Sequence, residues 1–281
     1  MSKMSIASDP RFIYVLLILV IAVPVLAHTV LPVPVTDTTR AVYDFIESLP
    51  ENSLVVLSFD YSTSTVPELH PQATIVTQHV FMRPLKVLFV AQWQDGPALT
   101  DAVLDAIDKG DKQYGVDYAT LGYIPNTATL IGMTADIHSF FPVDTRGNPT
   151  DTLPIIQRFP GARQAALVVT FVAGEPGLSA YLQYWQARLN IPVAAGAVAS
   201  LAPGFMAFYN SRQIVGVLIS IRAAAEYEFL EHDQYPRVPI GLSGAASAMV
   251  AQSTSHMLIV LMVVVGNVAF FVRRRRPGAS K

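Results

Sequence analysis

The 281-residue chain contains no cysteine. That excludes disulfides, thiolate metal sites and cysteine nucleophiles, and it leaves stability to core packing. Signatures of phosphate and ester chemistry are missing as well. No G-x-G-x-x-G follows a candidate strand, and there is no G-x-x-x-x-G-K-[ST] loop, G-x-S-x-G elbow or H-E-x-x-H helix. The six histidines, at 28, 70, 79, 138, 232 and 256, are too scattered for a ligand set. The sequence therefore predicts no metal and no cofactor.

Charge is missing from two apolar runs, one near each end of the chain. The first, Phe12 to Ala27 with Leu31 to Val35 added, carries no charge except on His28 if protonated. Read as a transmembrane helix over 12–35, it is long enough to cross a bilayer with some tilt. Read as a secretory signal, it has Met1–Arg11 as a weakly basic leader and Val25-Leu26-Ala27 as a cleavage site. The second run, Met257 to Val272, stops at Arg273-Arg274-Arg275-Arg276, the usual stop-transfer arrangement. It predicts a second transmembrane helix over 256–272 and a basic cytoplasmic tail over 273–281. Lys3 and Arg11 favour a cytoplasmic N-terminus too. The expected topology is a plasma-membrane protein with both termini cytoplasmic and residues 36–237 outside.

Between the runs the chain holds 12 basic and 20 acidic residues, a net charge of about −8. Such a segment is not built to hold nucleic acid or anionic lipid heads. Its roughly 200 residues can bury one full core. The expected partners are the bilayer, through two helices, and either another membrane protein or a second copy.

Strand-length apolar runs alternate with amphipathic stretches, which predicts an α/β fold. The candidate strands are Leu54–Phe59, Leu85–Ala91, Tyr118–Ile124, Ala165–Val172, Val193–Val198 and Ile214–Ile219. Several are continuously hydrophobic, as strands covered on both faces must be. The predicted fold is a doubly wound, mostly parallel six-stranded sheet with helices on both faces. Leu99, Val103 and Ala106 mark one helix behind Asp95-Gly96-Pro97, and Leu178, Leu182, Trp185 and Leu189 mark another, with Trp185 in the core. Thr65-Val66-Pro67-Glu68 reads as a capping box, with Pro71 either kinking the helix or delaying its start. Pro142 to Pro160 is a turn-rich insertion, and 238–255 is a small-residue linker or membrane-proximal helix. Glu226, Glu228, Glu231, His232 and Asp233 read as a solvated acidic face.

Three stretches resemble a group of bacterial membrane-anchored proteins with an α/β domain between their anchors: Tyr114–Tyr123, Phe141–Gly147 and Gly216–Tyr227. The resemblance implies the architecture and brings no catalytic residues with it.

Position supplies the site. In an open parallel sheet, ligands sit beyond the carboxyl ends of strands where strand order reverses. An order of 3-2-1-4-5-6 places the reversal between the first and fourth strands, bringing Asp60 and Glu175 to one crevice. Ser62, Trp93, Gln94, Tyr123, Ser200 and Arg222 would form its rim. The expected function is a membrane-tethered extracytoplasmic interaction or ligand-binding domain in a membrane complex. The alternative is a hydrolase or transferase using Asp60 and Glu175 as acid and base.

Overall fold

The structure, a computed structural model, describes residues 10–274. The chain divides into an α/β body, Pro32–Ala245, and a second unit holding the two terminal apolar helices. The body's six strands are β1 (Leu54–Asp60), β2 (Lys86–Ala91), β3 (Tyr118–Tyr123), β4 (Ala165–Val172), β5 (Val193–Ala197) and β6 (Val217–Ile219). They form one sheet in the order β3-β2-β1-β4-β5-β6, and every pairing is parallel. This is a Rossmann-like order, the one assumed in placing the crevice, with its reversal between β1 and β4. Every residue of β1 is buried, so the sheet is covered on both faces.

In chain order the helices are α1 (Pro10–Leu26), α2 (Asp37–Ser48), α3 (Val66–Met82), α4 (Gly96–Ala106), α5 (Thr127–Gly132), α6 (Ile137–Phe140), α7 (Pro154–Arg158), α8 (Leu178–Tyr181), α9 (Ala187–Leu189), α10 (Ala202–Asn210), α11 (Ser220–Gln234) and α12 (Ala245–Arg274). A π-helical turn, Leu182–Gln186, joins α8 to α9. One face of the sheet carries α3, which packs on α4 and α11, with α2 beside α11. On the other face Leu130, Met133, Tyr181, Trp185 and Phe205 join Val56, Val90 and Val168 in one core cluster. Trp185 is fully buried there and donates to Leu130 O at 2.9 Å.

Several local expectations are corrected. The capping box at Thr65 does not form: no side-chain cap bond is made, and Glu68 instead accepts from Ala199 N at 2.9 Å. The helix begins at Val66 with Pro67 in its first turn, where a missing N–H costs nothing, and continues through Pro71. The insertion 142–160 is organised by buried Asp144, which accepts from Tyr114 Oη at 2.7 Å and from the Arg146 and Asn148 amides at 2.8 Å. Burial alone would raise its carboxyl, yet the donors around it bring it below the ordinary range. Arg146 stacks over the Tyr114 ring at 3.6 Å, closing the loop onto the body. Of the acidic face on α11, Asp233 is exposed as expected, but Glu226, Glu228 and Glu231 are all buried.

In the second unit, Ala245–Phe271 of α12 is long and apolar enough to cross a membrane. Residues 245–255 belong to this same helix, so only 238–244 remain as a connection. The helix α1 ends at Leu26, and 27–36 are not helical, so the first apolar run is a helix of 17 residues and not the 24 expected over 12–35. At 1.5 Å per residue it is about 26 Å long. Thr254 Oγ1 lies 3.2 Å from Val20 O, which places α1 beside α12. The tails 1–9 and 275–281, including Lys3 and the end of the arginine run, lie outside the described residues.

Candidate functional site

The registers of β1, β2 and β4 determine what surrounds Asp60. Ser58 pairs with Val90 on β2 and with Thr170 on β4, so two residues further on Asp60 comes level with Gln92. Four donors converge on its carboxylate. Oδ1 accepts from Ser58 Oγ at 2.8 Å and from Gln92 N at 2.6 Å, while Oδ2 accepts from Thr170 Oγ1 at 2.5 Å and Gln92 Nε2 at 3.4 Å. Tyr181 Oη, itself buried, donates to Ser58 Oγ at 2.8 Å and closes the network from the helical side. Burial pushes the Asp60 carboxyl up to about 6, and the donors limit the rise. Asp60 has no exposed surface and its lone pairs are committed to holding three strands together.

Beyond this network, at the carboxyl ends of β1 to β4, lies an open cavity of about 380 Å³. Ser62, Trp93, Tyr123 and Glu175 line it, as the strand order predicts, but Asp60 does not. The two carboxylates therefore do not share a crevice: one is sealed beneath the sheet edge and the other stands exposed on the rim, accepting from Ser179 Oγ. The peptide between Glu175 and Pro176 is cis, and Pro176 O accepts from Trp93 Nε1 at 2.9 Å, which fixes the indole across the β2–β4 loops. Gly96 lets the start of α4 come down onto the sheet edge. A Cβ there would lie 2.4 Å from Phe59 O and 2.2 Å from Ala91 Cβ, closer than any side chain tolerates.

The other two expected rim residues are elsewhere. Ser200 is exposed on a 3₁₀ turn after β5 and does not line this cavity. Arg222 borders a separate cavity of about 640 Å³ near the start of α11. Its Nε donates to buried Glu226 at 2.8 Å. Strands five and six lie on the far side of the reversal, which carries their loops away from it.

Gln92 and Asp95 line the switch-point cavity without having been singled out from the sequence. Gln92 follows a hydrophobic strand and has no pattern of its own; only the β1–β2 register reveals it. A second polar group escaped notice because its members are far apart in sequence. His79 on α3 is fully buried, with Nδ1 at 2.6 Å from Tyr227 Oη and Nε2 at 2.7 Å from Glu47. Burial pulls the imidazole below its ordinary range, so the neutral ring donates from Nε2 to Glu47 and accepts from Tyr227. Tyr43 stacks on His79 at 4.5 Å, and Glu231 lies buried beyond it with neither carboxylate oxygen hydrogen-bonded. Among the described residues no cluster of histidine and carboxylate groups is arranged to hold a metal ion.

No protein-family model, curated protein or solved structure matches this chain.

Proposed function

We propose that this protein is a membrane-tethered α/β domain that works by binding a small ligand at the switch point of its sheet. The observation carrying this reading is the cavity at the β1–β4 ends, lined by Trp93, Tyr123, Ser62 and Glu175. Binding is favoured over hydrolysis or group transfer because an acid–base pair needs two carboxylates within reach of one bond, and Asp60 is fully occupied with its own donors. In this reading α12 and α1 tether the body, both termini are cytoplasmic, the body lies outside, and the protein works within a membrane complex.

The two tryptophans give a direct test, since Trp185 is fully buried and Trp93 borders the cavity. A ligand should shift the emission of the full-length protein in mild detergent, and Trp93→Phe should abolish that shift. A protein that copurifies with a stoichiometric membrane partner, yet shows no Trp93 response to any small molecule, would shift the reading to protein interaction.

A further inference from the structure

The charged groups lining the switch-point cavity are all of one sign, beside the neutral Ser62 hydroxyl and Gln94 amide. Gln92 is 6% exposed, and its amide orientation is fixed because Nε2 points to two acceptors, Asp60 Oδ2 at 3.4 Å and Gly177 O at 3.3 Å. The outward end is therefore the carbonyl, and Oε1 accepts no hydrogen bond among the described residues. An acceptor left open at a cavity wall is free to take a donor from a ligand or from water. The neighbouring groups repeat the demand. Glu175 and Asp95 are both carboxylates on the lining, no lysine or arginine is present there, and the Trp93 N–H is already spent on Pro176 O. The Trp93 and Tyr123 rings complete the wall, and Tyr123 is 37% exposed. Acceptors, negative charge and aromatic faces together select a cation that carries N–H bonds.

We infer that this cavity binds a small organic ammonium ion, a protonated primary amine on a short carbon body, with its N–H groups on Gln92 Oε1 and Glu175 and its charge against the Trp93 and Tyr123 rings. This inference rests on the ligand-binding reading above and narrows it to one chemical class. Neutral sugars would also stack on the aromatic rings, but they bring no charge for the Glu175 and Asp95 carboxylates to attract.

The test uses the full-length protein in detergent, Trp93 emission and calorimetry, and three probes: n-butylammonium, tetramethylammonium and methyl glucoside. Butylammonium is expected to bind at millimolar concentration and to weaken with added salt. Tetramethylammonium keeps the charge but has no N–H, and should bind about tenfold more weakly. Methyl glucoside should not bind. Glu175→Gln and Trp93→Phe should each weaken butylammonium by roughly fivefold. Glu175 is exposed, so its variant should melt with the parent, which separates lost binding from lost folding. Binding of the glucoside with a Trp93 response, and none of butylammonium, would overturn the ammonium inference and leave the ligand-binding reading standing. Silence toward all three probes would also overturn the inference, and the reading of a binding domain would then depend on the wider search for a Trp93 response.

Discussion

At the scale of single residues, the buried carboxylates behave in opposite ways. Asp60 is satisfied by four donors from β1, β4 and the end of β2, so Asp60→Asn would set its NH2 against one of the two Gln92 donors, the backbone N–H on one side or Nε2 on the other. The expected loss is about 2–4 kcal/mol of stability. Thermal melting of the full-length variant measures it, and an unchanged melt would remove Asp60 from its structural role. Glu231 is buried with both oxygens unpaired, and burial, with Glu228 and Glu47 nearby, pushes its carboxyl up to about 9 from an unfolded value of 4.5. Between those values the folded chain keeps a proton that the unfolded chain has released. Stability from this group is therefore complete below the unfolded value and is lost as pH rises toward the folded one. Asp60 has the same sign over a lower window, from 3.8 to about 6. Glu231→Gln should accordingly raise Tm in mildly alkaline buffer and flatten the decline in Tm above about pH 6, while the Asp60 contribution persists below it. A decline of the same slope in the variant would show that Glu231 is ionised in the folded protein.

At the scale of elements, α11 ties down both segments leading out of the body. Glu226 accepts from Thr36 N at 3.0 Å, Thr36 Oγ1 at 2.7 Å and Thr39 Oγ1 at 2.8 Å. Two residues on, Glu228 accepts from Ser243 N at 2.8 Å and Gly241 N at 3.2 Å. Glu226→Ala leaves Arg222 without its carboxylate and releases the Thr36 segment. It should cost about 3 kcal/mol and make the chain near Thr36 a preferred site of limited proteolysis. Cleavage at the parental rate would show that the segment is held by other contacts. None of this was legible from the sequence, where the same glutamates read as a solvated face: helical spacing places residues on faces but does not say what the faces meet. The strands were legible because apolar runs of strand length alternate with amphipathic stretches, but their order was not: the rule for parallel crossovers permits several orders, and 3-2-1-4-5-6 entered as an assumption. The sixth is shorter than expected, beginning at Val217 instead of Ile214. The ladder nevertheless starts earlier, with Val215 N donating to Val193 O at 2.9 Å. All of the candidate rim but Ser200 and Arg222 was also readable, as was Glu175, because their place depends only on strand ends. Gln92 and the His79–Glu47 contact depend on register and on helix docking, which no local pattern records.

At the scale of the whole molecule, a body rich in acidic residues is joined to two apolar helices, the second of which runs into four arginines, and in the proposed reading the positive-inside rule sets the orientation. One long apolar helix, α12, has the length to span, while α1 falls a few ångström short of roughly 30 Å of hydrocarbon and would rely on local thinning or its flanking residues. The absence of cysteine makes this testable by labelling with an impermeant thiol reagent on intact cells. Asp105 on α4 has a side chain 86% exposed, so Asp105→Cys should react freely wherever the body is outside. Ser280→Cys, in the tail after the four arginines, should react only after the membrane is opened. If Asp105→Cys is protected and Ser280→Cys is labelled, the orientation is inverted. If both are protected in intact cells, the body lies on the cytoplasmic side with the tail. The same samples decide the fate of α1 by intact mass. A retained helix gives a chain beginning at Met1 or Ser2, whereas one beginning at His28 would leave α12 as the single anchor. The four hydrogen-bonding links from α11 to Thr36 and Ser243 would then hold one processed end and one tethered segment, so Glu226→Ala should keep its effect on Tm whether or not α1 is retained.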